Sequence, residues 1–317
     1  MTRVFTILLG LLVLTACGKT EESEKTAQAQ AVPIAQQEAE LILVTGVTGR
    51  QGGATARALL ETGYRVRGLT RNPLSERAQG MAALGVEMVK GDFNDKQSLE
   101  AAMQGAKGVF LVTNFWEHGY QAEVQQGKNV VDVALATGIA HLVFSSVANA
   151  DDTTGVPHFD SKYEVEEYIE SSGIDYTIIR PVSFMENWES SKDKVLAGKI
   201  ARPFSLSTRV QLISVRDIGR FAAQAFSKPE DWKGRALDIA GEDISMKELV
   251  NLFSVVTGSP VEYVRIPWDE FELAEGEEMT IMDKWIEEVG YSANVNLVRS
   301  ELPGMWSLED YLEQAGW

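Results

Sequence analysis

Short runs of consecutive apolar residues alternate along most of the chain with segments in which apolar residues recur every three or four positions. Continuous apolar runs are typical of strands covered on both faces, whereas the longer spacing indicates amphipathic helices. Strands and helices that alternate in this way pair in parallel through right-handed crossovers. We therefore predict an α/β fold with a Rossmann-type doubly wound parallel sheet. The predicted strands are residues 41–45, 65–69, 86–89, 108–112, 141–145 and 176–179.

After Pro181 the alternation of apolar runs with helically spaced apolar residues becomes less regular. Residues 184–212 have mixed polarity and no predicted element, whereas 215–226 and 245–256 are predicted helices and 236–239 is a predicted short strand. We assign the Rossmann core to about residues 41–183 plus 213–240. The remainder of the chain up to residue 317 is predicted to form a smaller, mainly helical C-terminal subdomain that receives a substrate or a partner.

The first 40 residues do not follow this pattern. Arg3 precedes an apolar run that is too short to span a bilayer, as in a secretory signal. The run leads into Leu14-Thr15-Ala16-Cys17, which resembles the lipobox of bacterial lipoproteins. We predict a signal peptide at residues 1–16, a lipidated Cys17, and a flexible polar tether over residues 17–40.

Charge and cysteine content exclude several classes of function. The formal net charge of −17 at pH 7 repels phosphate backbones, so we expect no nucleic-acid partner. Cys17 is the only cysteine and the three histidines are scattered, so the sequence predicts neither an intramolecular disulfide nor a metal site.

The first predicted strand runs into Gly46-Val47-Thr48-Gly49-Arg50-Gln51-Gly52 and then into a helix. This context makes the glycine spacing a specific signal for dinucleotide binding. Gly46 permits the turn, Gly49 lets the backbone approach a pyrophosphate, and Gly52 lets helix and strand pack closely. The unpaired amides of the helix N-terminus would bind the phosphates, with Thr48 and Gln51 adding side-chain contacts.

The end of the second strand indicates which dinucleotide is bound. An NAD enzyme usually has Asp or Glu there for the ribose hydroxyls, but this chain has Thr70-Arg71-Asn72. Arg71 could bind a ribose 2′-phosphate, so NADP(H) is preferred over NAD(H). Asp92 and Phe93 follow the third strand, and Thr113, Asn114 and Phe115 follow the fourth, where ligands of open α/β sheets bind.

These segments resemble the NmrA-like family of atypical short-chain dehydrogenases, and within it the HSCARG-type NADPH sensors. The resemblance rests on the glycine segment, Thr70 to Pro73, Gly91-Asp92, Val112 to Glu117, and His158-Phe159-Asp160-Ser161-Lys162. It implies cofactor contacts from Gly46 to Gln51 and at Arg71, Asp92, Phe93, Thr113, Asn114, Phe115, Lys162, Val182, Ser183, Phe184 and Met185.

The sequence allows two interpretations of the position where a catalytic acid is expected. Short-chain dehydrogenases use a Tyr-x-x-x-Lys pair, in which the lysine lowers the pKa of the tyrosine. Here the spacing is His158-x-x-x-Lys162, and Ser145 or Ser146 ends the fifth strand where the family serine lies. His158 could donate a proton, or it could be a structural histidine. Lys162 is then expected to bind the ribose hydroxyls.

Three functions follow from these residues. The first is an NADP(H) sensor with weak or no dehydrogenase activity that acts through a partner, because the cofactor loop is intact and the tyrosine is missing. The second is an NADPH-dependent oxidoreductase acting on a quinone or small carbonyl compound. The third is a lipid-anchored scaffold with a relict site.

The predicted location is the bacterial cell envelope, on a membrane through the lipid anchor only. Export conflicts with the mainly cytoplasmic supply of NADP(H), and a misassigned start would instead make the protein cytoplasmic. The next methionine, Met81, lies beyond the glycine segment, so a shorter product would need another start codon.

Overall fold

The computed structural model of this chain describes residues 39–317. The predicted signal peptide, Cys17 and nearly all of the predicted tether lie outside these described residues. The strands in chain order are β1 (Leu41–Val44), β2 (Arg65–Thr70), β3 (Glu87–Lys90), β4 (Gly108–Val112), β5 (His141–Ser145), β6 (Tyr176–Pro181), β7 (Ser183–Phe184), β8 (Lys199–Arg202), β9 (Arg209–Ile213), β10 (Arg235–Ile239), β11 (Glu242–Ser245) and β12 (Glu262–Arg265).

Seven of these strands form one open sheet in the order β10-β6-β5-β4-β1-β2-β3. Every pairing within it is parallel. The chain runs outward from β1 to β3 and then crosses back to β4 on the other side of β1, so the topological switch point lies between β1 and β4. The predicted Rossmann-type doubly wound sheet is confirmed.

Helices cover both faces of this sheet. An apolar cluster that includes residues of α1 and α8 packs on one face, and a second cluster that includes α3, α5 and α6 packs on the other. The helices in chain order are α1 (Arg50–Glu61), α2 (Glu76–Ala83), α3 (Lys96–Met103), α4 (Phe115–His118), α5 (Tyr120–Ala136), α6 (Pro157–Ser172), α7 (Lys192–Leu196), α8 (Val215–Ser227), α9 (Pro229–Trp232), α10 (Met246–Val256), α11 (Trp268–Glu275), α12 (Glu277–Glu288), α13 (Val295–Glu301) and α14 (Leu308–Gln314), with a 3₁₀ helix at Met185–Ser191.

The C-terminal part is helical, as predicted, but it also contains two small sheets that the sequence did not predict. One has the strand order β11-β9-β7 and the other pairs β12 with β8. Four of these five strands have only two to four residues each: β7, β8, β11 and β12. A third apolar cluster fills this part and includes Trp188, Phe253 and Trp285.

None of the helices within residues 39–317 is both long enough and apolar enough to cross a membrane.

Helices α1 and α8 cross at very short range because Gly219 has no side chain. A Cβ atom on Gly219 would lie 2.6 Å from the carbonyl carbon and oxygen of Ala54. This contact fixes α1, and therefore the N-terminus of α1, against the rest of the sheet.

We expect Gly219→Ala to lower the free energy of unfolding by about 2–3 kcal/mol, because the new methyl group overpacks the α1–α8 contact. The measurement is urea unfolding of the full chain. Gly80→Ala is the matched control, because Gly80 lies in the exposed helix α2 and its added Cβ would meet nothing within 4 Å. That substitution should raise stability by about 0.5–1 kcal/mol. Equal effects of the two substitutions would contradict the assigned role of Gly219.

Candidate functional site

The turn between β1 and α1 exposes backbone amides at the switch point of the sheet. Gly46 has φ of +58° and begins the turn, and the amide of Gly49 donates to its carbonyl at 2.8 Å. A Cβ atom on Gly52 would lie 2.3 Å from the same carbonyl oxygen, so only glycine permits the approach of α1 to the turn. The first turn of α1 has no side-chain cap and no acidic residue. These free amides are suited to an anionic group such as a pyrophosphate.

An open cleft of about 270 Å³ lies at this turn. Its walls come from the ends of β1 to β4, as expected for an open parallel sheet. Seven of the residues that the sequence predicted as cofactor contacts line it: Gly46, Thr48, Gly49, Arg71, Asp92, Phe93 and Asn114.

Arg71 and Glu117 form an ion pair at this cleft. The Arg71 guanidinium at the end of β2 contacts the Glu117 carboxylate of α4, and both residues line the cleft. Hydrogen bonding from Arg71 holds the pKa of Glu117 below its usual range, although burial opposes the shift. The Arg71 side chain remains 60% exposed, so an anionic ligand can reach it and replace Glu117.

Lys162 is held by a buried carboxylate rather than by a tyrosine. Its ammonium donates to Glu123 Oε1 at 2.5 Å and to Thr113 Oγ1 at 3.2 Å. Ser161 donates to the other oxygen of Glu123, which is fully buried. Burial alone would raise the pKa of Glu123, but the Lys162 ammonium and the two hydroxyl groups hold it below its usual value.

His158 lies one turn before Lys162 on α6 and pairs with Glu278 of α12. Its Nδ1 is 2.5 Å from Glu278 Oε1, while its ring lies 5.1 Å from that of Trp116 between centroids. Burial lowers the pKa of His158 and Glu278 opposes this shift, so the neutral ring with a proton on Nδ1 fits the site. None of the hydrogen bonds within residues 39–317 uses Nε2 of His158.

The remaining predicted residues surround the cleft without lining it. Ser145 is buried and donates to Gln51 at 2.6 Å, and Arg50 donates to Asn187 at 2.9 Å. The side chains of Val47, Val182 and Met185 lie in apolar clusters, so only their backbone atoms can contact a ligand. Thr113, Phe115, Lys162 and Gly52 also lie outside the lining of the cleft.

A second cavity, of about 120 Å³, adjoins the segment that follows β6. Ser183 and Phe184, two of the predicted contacts, line it together with Asn187. The bond between Asn187 and Arg50 joins this cavity wall to the glycine turn. Helix α12 contributes further lining residues, among them the buried carboxylate of Asp283.

Within residues 39–317, no group of three or more His, Cys, Asp and Glu side chains is arranged to hold a metal ion.

The parallel sheet and its glycine turn define the class as a Rossmann-type protein with a crevice of the dinucleotide-binding kind. The chain belongs to the NmrA-like family, whose model matches residues 38–312. One relative, the NmrA-like family domain-containing oxidoreductase malD of Malbranchea aurantiaca, is 33% identical over 253 residues. This match covers 71% of this chain and 75% of the relative.

Solved structures share the fold. The NADPH-dependent quinone oxidoreductase QOR2 of Escherichia coli, complexed with NADPH, has a TM-score of 0.75 at 23% identity, covering 86% of this chain and 99% of that one. NmrA, a negative transcriptional regulator in complex with NADP, has a TM-score of 0.71 at 22% identity, covering 89% of this chain and 99% of that one.

Three carboxylates of the site were not singled out from the sequence. Glu123 and Glu278 contact the predicted residues Lys162 and His158, and Asp283 lines the second cavity. In the sequence the acidic stretch around Glu278 is indistinguishable from a solvated surface. Only the position of Asp283 among apolar neighbours at helical spacing, with Met279, Met282 and Ile286, is a local signal of burial.

We expect Lys162→Met to lower the free energy of unfolding by about 3 kcal/mol, because it leaves the buried Glu123 carboxylate without its cation. Glu123 can then take up a proton, so the loss should be larger at pH 8 than at pH 5. The double variant Lys162→Met with Glu123→Gln should recover at least half of the loss. Urea unfolding at both pH values measures these effects, and a double variant no more stable than the single one would refute the pairing.

Proposed function

We propose that this protein binds NADP(H) with the pyrophosphate at the amides of the Gly46–Gly52 turn. The close approach of α1 and its uncapped first turn fit an anionic ligand. NmrA and QOR2, which share the fold, were solved with NADP and with NADPH.

The preference for NADP(H) over NAD(H) rests on Arg71. It is exposed at the end of β2, and the strand end itself, Thr70 to Asn72, has no carboxylate for a 2′-hydroxyl. A 2′-phosphate can form a bidentate, charge-assisted contact with its guanidinium. Binding would then exchange Glu117 for the phosphate as the partner of Arg71.

The function that the geometry supports best is that of an NADPH-dependent oxidoreductase for a small, largely apolar substrate. The observation that carries it is the second cavity, which is lined by Ser183 and Phe184, two of the residues predicted to contact the cofactor, together with Asn187. The relative malD is named an oxidoreductase. Bound NADPH would supply the hydride. Lys162 would orient the ribose, and His158 Nε2 would exchange a proton with substrate or solvent.

A second candidate is an NADP(H) sensor of the HSCARG type, which binds the nucleotide without turning it over. The pairing of Lys162 with Glu123 and the absence of tyrosine at position 158 favour it, because no acid of the usual kind is present. In this role the 2′-phosphate of the bound nucleotide would replace Glu117 as the partner of Arg71. The loss of this contact would change the conformation of α4, which carries Glu117.

We also propose that Cys17 carries a lipid anchor that attaches the protein to a membrane of the bacterial cell envelope. This rests on the Leu14-Thr15-Ala16-Cys17 segment and its apolar leader.

In fluorescence titrations of the full chain, NADPH and NADP⁺ should bind more tightly than NADH. Arg71→Ala should weaken NADPH binding by about tenfold or more and leave NADH nearly unchanged, because one charge-assisted phosphate contact is lost. Arg77→Ala is the matched control, since Arg77 is exposed on α2 and does not line the cleft. Equal affinities for NADPH and NADH would remove the role of Arg71.

Turnover separates the two candidates. Steady NADPH oxidation with members of a panel of quinones, carbonyl compounds and imines would select the oxidoreductase. Tight binding of NADP(H) with no turnover on that panel would select the sensor, and no binding of any dinucleotide would refute both.

A further inference from the structure

Ten of the fifteen residues that line the second cavity are apolar. Met279, Met282 and Ile286 of α12 face Phe271 of α11 and Met246 of α10 across it. Methionine side chains are flexible and polarisable, so such walls adapt to ligands of different shape. The cavity is therefore suited to a hydrocarbon or aromatic body rather than to a sugar or a phosphate.

One ionisable side chain is buried in this lining. Asp283 is only 7% exposed. No hydrogen bond or ion pair within the described residues 39–317 includes its carboxylate, although the fully buried Glu123 and the half-buried Glu278 of the site are both paired. Burial raises the pKa of Asp283 to about 7. A buried carboxylate without a partner is costly, so its presence in a ligand-sized cavity indicates that the ligand supplies the partner.

Arg202 also lines the cavity, and its charge opposes the rise in the pKa of Asp283. The two side chains nevertheless form no ion pair among the described residues. The Arg202 guanidinium lies 5.3 Å from the Trp188 ring and donates to Ser191 and to the Ala201 carbonyl. Glu275, at the exposed end of α11, adds a second negative charge to the lining.

We propose that this cavity binds an apolar organic cation whose positively charged nitrogen pairs with Asp283, and that the reducible form of this substrate is an iminium ion. The identification of the bound cation as a substrate rests on the oxidoreductase function proposed above.

An iminium substrate also accounts for the missing catalytic tyrosine. Hydride supplied by NADPH forms a C–H bond at the iminium carbon while the C=N π pair moves onto nitrogen. The products are a neutral amine and NADP⁺, so the step needs no proton from the protein. Reduction of a carbonyl group, in contrast, creates an alkoxide that requires an acid. Asp283 would hold the cation next to the Ser183–Asn187 wall and would lose its partner as the nitrogen becomes neutral, which favours release.

Binding is tested with benzyltrimethylammonium and its neutral isostere neopentylbenzene, using tryptophan fluorescence of the full chain. A permanently charged probe avoids any ambiguity about its own protonation. The ammonium should bind at least about tenfold more tightly than the isostere, since a desolvated charge pair is strongly favourable only when both charges are present. Equal or tighter binding of the isostere to the unmodified protein would overturn the proposal without any variant.

Asp283→Asn should remove this preference and leave binding of the isostere within about twofold, because the amide keeps the shape of the side chain and loses its charge. Glu288→Gln removes an exposed charge from the same helix outside the lining of the cavity and is the matched control, with an expected change below about threefold. A thermal melt at or above that of the unmodified protein verifies that Asp283→Asn is folded. Retention of the ammonium preference in folded Asp283→Asn would refute the assignment.

Turnover distinguishes this inference from the function on which it rests. NADPH oxidation with 2-methyl-3,4-dihydroisoquinolinium should exceed that with α-tetralone, a neutral ketone of similar size, and should fall in Asp283→Asn. Faster turnover of the ketone, unaffected by Asp283→Asn, would sustain the oxidoreductase and refute the cation site. Preference for the ammonium probe without NADPH binding would sustain the site and refute the oxidoreductase.

Discussion

The close approach of helix α1 to the end of strand β1 is the constraint on which the site depends. The Gly52 backbone lies against the Gly46 carbonyl, at a distance that leaves no room for a side chain. On its far side α1 is held by Gly219 of α8 at similarly short range. Because the helix is fixed from both sides, its first amides remain directed at the switch point between β1 and β4, where the cleft opens. The orientation of these amides makes the cleft suitable for anions.

Two ion pairs at this crevice differ in whether a ligand can replace their carboxylate. The Arg71–Glu117 pair is largely exposed and loses little when an anion replaces the carboxylate. The Lys162–Glu123 pair is buried and bound by two hydroxyl groups, so a ligand can contact Lys162 but cannot displace Glu123 without a large desolvation cost. In the proposed function, nucleotide selectivity would therefore lie at the exposed pair, and the buried pair would hold the geometry next to it.

Helix α12 connects the two halves of the site. Its first turn provides Glu278 for His158 and Met279 for the second cavity, and its following turn provides Met282 and Asp283 for the same cavity. A small movement of α12 would therefore change the His158 contact and the shape of the cavity together. The coupling follows from the rigidity of a single helix, because residues three or four positions apart lie on the same face.

The sequence by itself determined the central sheet, the glycine turn and Arg71 at the end of β2. The six N-terminal strands agree with their predicted ranges to within two residues, because buried parallel strands have a strong apolar signal. Strands β7, β8 and β12 escaped prediction because they are short and of mixed polarity, and β12 pairs with β8 across about sixty intervening residues. Only the tertiary structure decided which carboxylates are buried and what they contact. Glu123 and Glu278 resemble surface acids in the sequence, and the apolar neighbours of Asp283 indicate burial but not the cavity that it lines, since pairing and cavities depend on distant segments that local patterns do not encode.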